Sequence, residues 1–262
     1  MTMARGRLAC KVGCLVACLA GAAFAQGDAL FGMDPSTDRL SEGNSEYDGR
    51  FVFVRLRFGS SFRSHTFDGR EPGWAHDYPR ADVHLMKILD ELTLIAPRVD
   101  GSNILTLDDP ELFKFPLAYM SEPGGWMPSD TEVAALRAYL TKGGFVIFDD
   151  FRGTDCYHLE AQMARVMPGG IFVELDGSHP IFHSFFEIDA PAEFTPPYGG
   201  LPPIFYGMFE QNDPGRRLML VANCNNDLGE YWEFSDTGLV PVDLSNEAYK
   251  FGVNYIVYAM TH

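Results

Sequence analysis

The sequence predicts an α/β domain: a three-layer, open, mostly parallel sheet with a C-terminal hairpin and helix. Two observations predict it. Segments of strand and helix character alternate from Phe51 to Met167, the pattern of strands laid side by side with helices on both faces. Within that alternation Phe145-Val146-Ile147-Phe148 is continuously apolar, as a strand buried on both faces must be.

The elements follow in order. Phe51 to Phe58 is a β-branched and aromatic run that turns to polar alternation, a central strand by pattern. A long loop, Gly59 to Tyr78, separates it from a helix that opens near Pro79 and carries Ala81, Leu85, Ile88, Leu89 and Leu92 on one stripe. Asn103 to Leu107 and Phe115 to Met120 read as two strands divided by the turn signal Asp108-Asp109-Pro110. Ser129 and Glu132 form a capping box for a second helix with Val133, Leu136 and Leu140 inward, and Gly143-Gly144 stops it. The apolar strand then ends in Asp149-Asp150, and a third helix runs from about Asp155 to Met167 with Cys156, Leu159, Met163 and Val166 inward. Ile171 to Leu175 is a further strand. Phe205 to Glu210 and Arg217 to Ala222 bracket Asn212-Asp213-Pro214-Gly215 as a hairpin, and a last helix places Ala248, Phe251, Tyr255 and Ala259 on one face.

The first 25 residues carry a basic start (Arg5, Arg7, Lys11), an apolar stretch from Val12 to Ala22 and the small-x-small site Ala23-Phe24-Ala25, so the expectation is a secretory signal peptide over residues 1–25. Export to the periplasm or medium follows, with Gln26 as the mature N-terminus. Leu15-Val16-Ala17-Cys18 offers a rival, a lipoprotein acylated on Cys18. Residues 26–49, rich in Gly, Ser, Asp and Asn, read as a flexible linker, and residues 50–262 as a single domain. No later segment has the roughly 20 apolar residues that cross a bilayer, so no transmembrane segment is expected in the mature chain.

The formal charge of the chain is -16, and cleavage would remove three basic residues and no acidic one, leaving -19. Such a surface repels phosphate backbones and excludes nucleic acid as the expected partner. Envelope proteins or a small molecule remain as partner classes. At 46% hydrophobic and 13% aromatic the chain can fill one large core.

Trp74, Asp77 and Pro79 ahead of the first helix, Phe115-Pro116-Leu117-Ala118-Tyr119, Glu132, Leu136, Gly143-Gly144, Asp149-Asp150 and His179-Pro180-Ile181-Phe182 together resemble the family known as domain of unknown function 4159, from Phe51 to the end. The resemblance implies a flavodoxin-like, class I glutamine amidotransferase-like fold and carries no established activity. In amidotransferases a Cys nucleophile follows the strand after the glycine pair. Here that stretch is Ile147-Phe148-Asp149-Asp150-Phe151-Arg152, which lacks it.

In open α/β sheets ligands bind outside the carboxyl ends of the strands, where Asp149 and Asp150 fall. They are candidates for holding a cation or basic ligand, or for acid and base roles, against the alternative that one faces solvent while the other caps a turn or helix. Asp77 is a helix N-cap by position or a second ligand contact. Its loop, with Arg63, His65, Arg70, Trp74 and His76, is placed to cover the crevice, with Trp74 as a ligand contact or a hydrophobic anchor. His179 and His183 have helical spacing near Asp176 and are weak metal candidates, lacking the Glu and third ligand of a zinc motif. The polar stretch Asn223-Cys224-Asn225-Asn226-Asp227 is a turn or a border of the same crevice. Cys156 and Cys224 are the two cysteines beyond the leader, either buried thiols or one disulfide. No phosphate loop, nucleophile-elbow serine or CxxC is present, so no cofactor is expected. The reading is a non-catalytic binding or assembly module of the bacterial envelope; the alternative is a hydrolase of small or carbohydrate-type substrates using Asp149, Asp150 and His179.

Overall fold

The computed structural model describes residues 43–59 and 72–262. The leader, its cleavage site, Cys18 and the loop residues Arg63, His65 and Arg70 lie outside the described residues.

Seven strands among the described residues form one sheet: β1 (Val54–Arg57), β2 (Asn103–Thr106), β3 (Leu117–Ser121), β4 (Phe145–Phe151), β5 (Val173–Glu174), β6 (Ile204–Phe209) and β7 (Leu218–Cys224). Their spatial order is β2-β1-β3-β4-β7-β6-β5. The strands β2, β1, β3, β4 and β7 are mutually parallel, whereas β6 runs antiparallel to β7 and β5 antiparallel to β6. The chain leaves β1 toward β2 on one side and returns to β3 on the other, so the order reverses there and opens a crevice at the carboxyl ends.

Among the described residues five α-helices complete the layers: α1 (Arg80–Leu92), α2 (Asp130–Thr141), α3 (Thr154–Val166), α4 (Leu228–Glu233) and α5 (Val242–Thr261). The period of two along each strand divides the core. Phe53, Tyr119, Ile147 and Val221 pack with Leu85 of α1, Trp232 of α4 and Phe251 of α5. Val54, Ala118, Val146, Phe148 and Leu220 pack with Leu136 of α2 and Met163 of α3 on the opposite face. The expected capping box at Ser129 and Glu132 is present, both bonds made.

Three local expectations change. Asp77 is not the cap of α1, because the N-cap is Pro79 and Asp77 contributes only its backbone carbonyl, bonded to Ala81 N–H. The linker ends earlier than position 49: Asn44 and Ser45 exchange four hydrogen bonds with Asn103 and Ile104 of β2. Those bonds cover the open edge of the sheet, which otherwise presents unpaired backbone groups. Finally, Asn223 and Cys224 belong to β7, and the polar stretch ends by capping α4.

Candidate functional site

The site is assembled from the carboxyl ends of four parallel strands. The segment leading from β1 into α1 supplies His76 and Asp77, β3 ends in Ser121 with Glu122 directly after it, β4 carries Asp149-Asp150 near its end, and the turn after β7 supplies Asp227. Nothing in local sequence brings these together; the parallel register does.

The adjacent aspartates do different work because the strand alternation breaks between them: β4 slips register against β7 between Phe148 and Phe151, and Asp150 takes up a positive φ. Asp149 points into the interior and is completely buried. Its Oδ1 accepts from Asn223 Nδ2 (2.9 Å) and its Oδ2 from Tyr119 Oη (2.9 Å) and from the backbone N–H groups of Leu228 (2.9 Å) and Gly229 (3.1 Å). Tyr255 Oη in turn donates to Asn223 Oδ1 at 2.9 Å. Asp149 therefore caps α4 from another strand, satisfying orphan donors of the first turn. Burial raises its pKa to about 6 against the pull of the Asn223 hydrogen bond.

Asp150 turns the other way, with φ at 58°. Its Oδ2 lies 2.8 Å from His76 Nδ1 and accepts from Ser121 Oγ at 3.3 Å. Burial pulls the His76 imidazole down, but the Asp150 hydrogen bond and the surrounding carboxylates outweigh it and lift the pKa to about 9. Asp77, with φ at 64°, is 3% exposed and neither side-chain oxygen accepts a hydrogen bond among the described residues; Oδ1 stands 3.4 Å from His76 Nδ1. Asp227 caps α4 through Oδ1, bonded to Glu230 N–H at 2.9 Å, while its buried Oδ2 has no partner among the described residues. Burial, then the charge of Asp150, push both Asp77 and Asp227 well above the usual carboxylate range.

Strain concentrates here. Of the seven non-glycine residues with positive φ among the described residues, Asp77, Glu122, Asp150 and Asn225 flank this one crevice. Each such residue costs on the order of 1 kcal/mol, which persists only where surrounding structure holds it. Arg55 of β1 supplies part of that hold. Its buried guanidinium pairs with Asp82 of α1 at 2.5 and 3.2 Å and donates to the carbonyls of Trp74 (3.1 Å) and His76 (2.7 Å). Ser102 Oγ gives Asp82 a further bond at 2.5 Å.

A cleft of about 180 Å³ opens beside the cluster, lined by Asp150, Arg152, Tyr198, Leu201 and Asn225 among others. The Arg152 guanidinium lies over the Tyr198 ring at 4.6 Å, placing one cation and one aromatic face at its rim. Cys156 at the start of α3 is bonded to Cys224 at the end of β7 with Cα atoms 5.8 Å apart, so neither is the buried thiol of the alternative reading.

Of the sequence candidates, the structure brings together Asp77, Asp149 and Asp150. Trp74 is buried to 2% exposure and anchors the loop in the core instead of lining the cleft. His179 lies at the amino end of the parallel strands, between Phe209 and Tyr258, where its Nδ1 accepts from Ile181 N–H at 3.2 Å. It cannot serve the aspartates. His183 bonds Glu187 and the Gly177 carbonyl on the surface and does not pair with His179 for a metal. The sequence places His76 only within the loop expected to cover the crevice and Asp227 only within the polar stretch expected to border it, and picks neither as a ligand contact. A further signal for Asp227 is its place three residues before Glu230 and just ahead of Leu228, Tyr231 and Trp232, a helix-start pattern.

Fold and site together define an open α/β protein with a strained acidic crevice at the carboxyl edge of its sheet. The chain belongs to the family described as a domain of unknown function (DUF4159), which it matches over residues 52–260. No curated protein matches it. Among the described residues no helix is long and apolar enough to cross a membrane.

Proposed function

We propose that the chain is an exported binding or assembly module of the bacterial envelope, non-catalytic, on a flavodoxin-like, amidotransferase-like scaffold. The order of its parallel strands, 2-1-3-4-7, supports that scaffold. The observation that carries the binding reading is the division of labour between Asp149 and Asp150. Asp149 is saturated by four hydrogen bonds, and Asp150 presents a carboxylate, not a thiol, to the crevice. An Asp cannot form the thioester of glutaminase chemistry. The crevice would take a cationic or basic group on its carboxylates, with the Arg152–Tyr198 rim receiving the rest of a small ligand.

One observation favours a second reading, a hydrolase. Asp150, with positive φ near the end of β4, is hydrogen-bonded to His76, as a paired acid and base would be. A single comparison separates the two. Wild type and Asp150→Asn are screened by thermal shift against amino acids, sugars and basic peptides, alongside a general hydrolase panel. Ligand stabilisation lost in the variant, without turnover in either protein, is the expected result. Robust wild-type turnover that Asp150→Asn lacks would overturn the non-catalytic reading, and identical ligand responses would remove Asp150 from any site.

A further inference from the structure

Resting on the reading of the carboxyl-edge crevice as a binding site, we infer that His76, Asp77, Asp150 and Asp227 form a site for one divalent transition-metal ion of the Mn²⁺ or Zn²⁺ type. Each of the four offers one ligand atom, and those atoms all lie within 4.8 Å of one another. The His76 Nδ1 to Asp150 Oδ2 and His76 Nδ1 to Asp77 Oδ1 separations are 2.8 and 3.4 Å. Neighbouring ligands on an ion with bonds of roughly 2.1 Å stand about 3 Å apart, so these are spacings of adjacent coordination positions.

The cluster differs from an ordinary solvated acidic patch. Asp77 and Asp227 are 3% and 1% exposed, and three of their four side-chain oxygens accept no hydrogen bond among the described residues. Buried carboxylate oxygens are normally paired, because an unsatisfied one carries its full desolvation penalty. Two buried carboxylates with unsatisfied oxygens, each offering one ligand atom beside the His76 imidazole and Asp150, describe a set of acceptors in want of a cation. The donor set selects its kind: imidazole nitrogen suits borderline metals, whereas Mg²⁺ and Ca²⁺ favour oxygen alone.

Groups outside the four hold them in place, as ligand positions require. Arg55 fixes the His76 carbonyl and hence the His76-Asp77 turn. Asp149 grips the N–H groups of Leu228 and Gly229, which follow Asp227 directly. An added methyl on Gly229 would overlap Asp77 Oδ2, so the helix approaches that carboxylate as closely as a glycine permits.

The test is isothermal titration of chelator-treated, full-length mature protein with MnCl₂ and, separately, ZnCl₂. Wild type is expected to bind one equivalent of at least one of these ions. Asp77→Asn and Asp150→Asn should each bind it at least tenfold more weakly, while His183→Gln, at the separate surface cluster, should match wild type. Circular dichroism and melting of the chelated variants check folding. Should either Asp variant fail to fold, His76→Gln takes its place, with the same tenfold loss expected. No saturable binding of either ion by wild type, or full affinity in the folded site variants, would overturn the site. Failure to bind a cation, combined with an organic ligand whose stabilisation Asp150→Asn removes, would sink the metal site and leave the binding-module reading standing.

Discussion

His76 Nδ1 lies 2.8 Å from Asp150 Oδ2, joining the turn before α1 to the end of β4 across 74 residues of sequence. The contact exists because β1, β3 and β4 are parallel neighbours whose carboxyl ends open on the same side. It makes one crevice from two segments that are each unremarkable alone, and the consequences can be measured residue by residue.

Replacing Asp149 by Asn should destabilise the fold by on the order of 2–3 kcal/mol, because an amide cannot accept all four of the buried donors that the carboxylate accepts. Urea unfolding measures this. Asp150→Asn, by contrast, should change stability little. Equal losses in the two variants would contradict the assignment of a structural role to one and a site role to the other.

Arg55→Met should cost about 3–5 kcal/mol, since it leaves Asp82 buried without its cation and strips the donors from two loop carbonyls. Adding Asp82→Leu to this variant should restore part of the loss. If the double variant is less stable than the single one by urea unfolding, the pair is not the unit described.

Gly229→Ala is expected to destabilise by about 1–3 kcal/mol, although Ala is the better helix former, because the new methyl would overlap Asp77 Oδ2. The comparison that decides it is the melting temperature of Gly229→Ala with and without Asp77→Ser. The shorter Ser side chain should relieve the clash, and an Ala variant as stable as wild type would show that α4 has more room than the structure gives it.

The Cys156–Cys224 bond closes a loop of sequence separation 68 and ties α3 to the end of β7 beside Asn225. Its reduction should lower stability by about 4 kcal/mol if the chain-entropy description holds. Two free thiols titrated in unreduced, denatured protein would exclude the bond.

We propose that the exported form starts at Gln26, and intact-mass measurement of protein recovered outside the cytoplasm tests it. A lipidated Cys18 at the N-terminus would replace this form with the lipoprotein. Protein retaining Met1 throughout would remove export.

The sequence by itself determined whatever rests on neighbours in the chain. The alternation of strand and helix, the Ser129–Glu132 box, the stop at Gly143-Gly144, the hairpin around Asn212-Asp213-Pro214-Gly215 and the placing of Asp149-Asp150 at a strand end all follow from periodicity, capping and turn chemistry within a few residues. Only the tertiary structure decided which of two adjacent, chemically identical aspartates faces the core, because that depends on where β4 slips register against β7 and on the positive φ of Asp150. It also decided that Trp74 is an anchor, that His179 stands at the wrong end of the sheet, and that a helix as short as α4 forms at all. Six residues, Leu228–Glu233, cannot sustain a helix by propensity; Asp149 of β4, accepting from the Leu228 and Gly229 N–H groups, completes its first turn. The acidic site has the same origin. His76, Asp77, Asp150 and Asp227 are held together by the parallel sheet and by Arg55, contacts that no window along the chain contains.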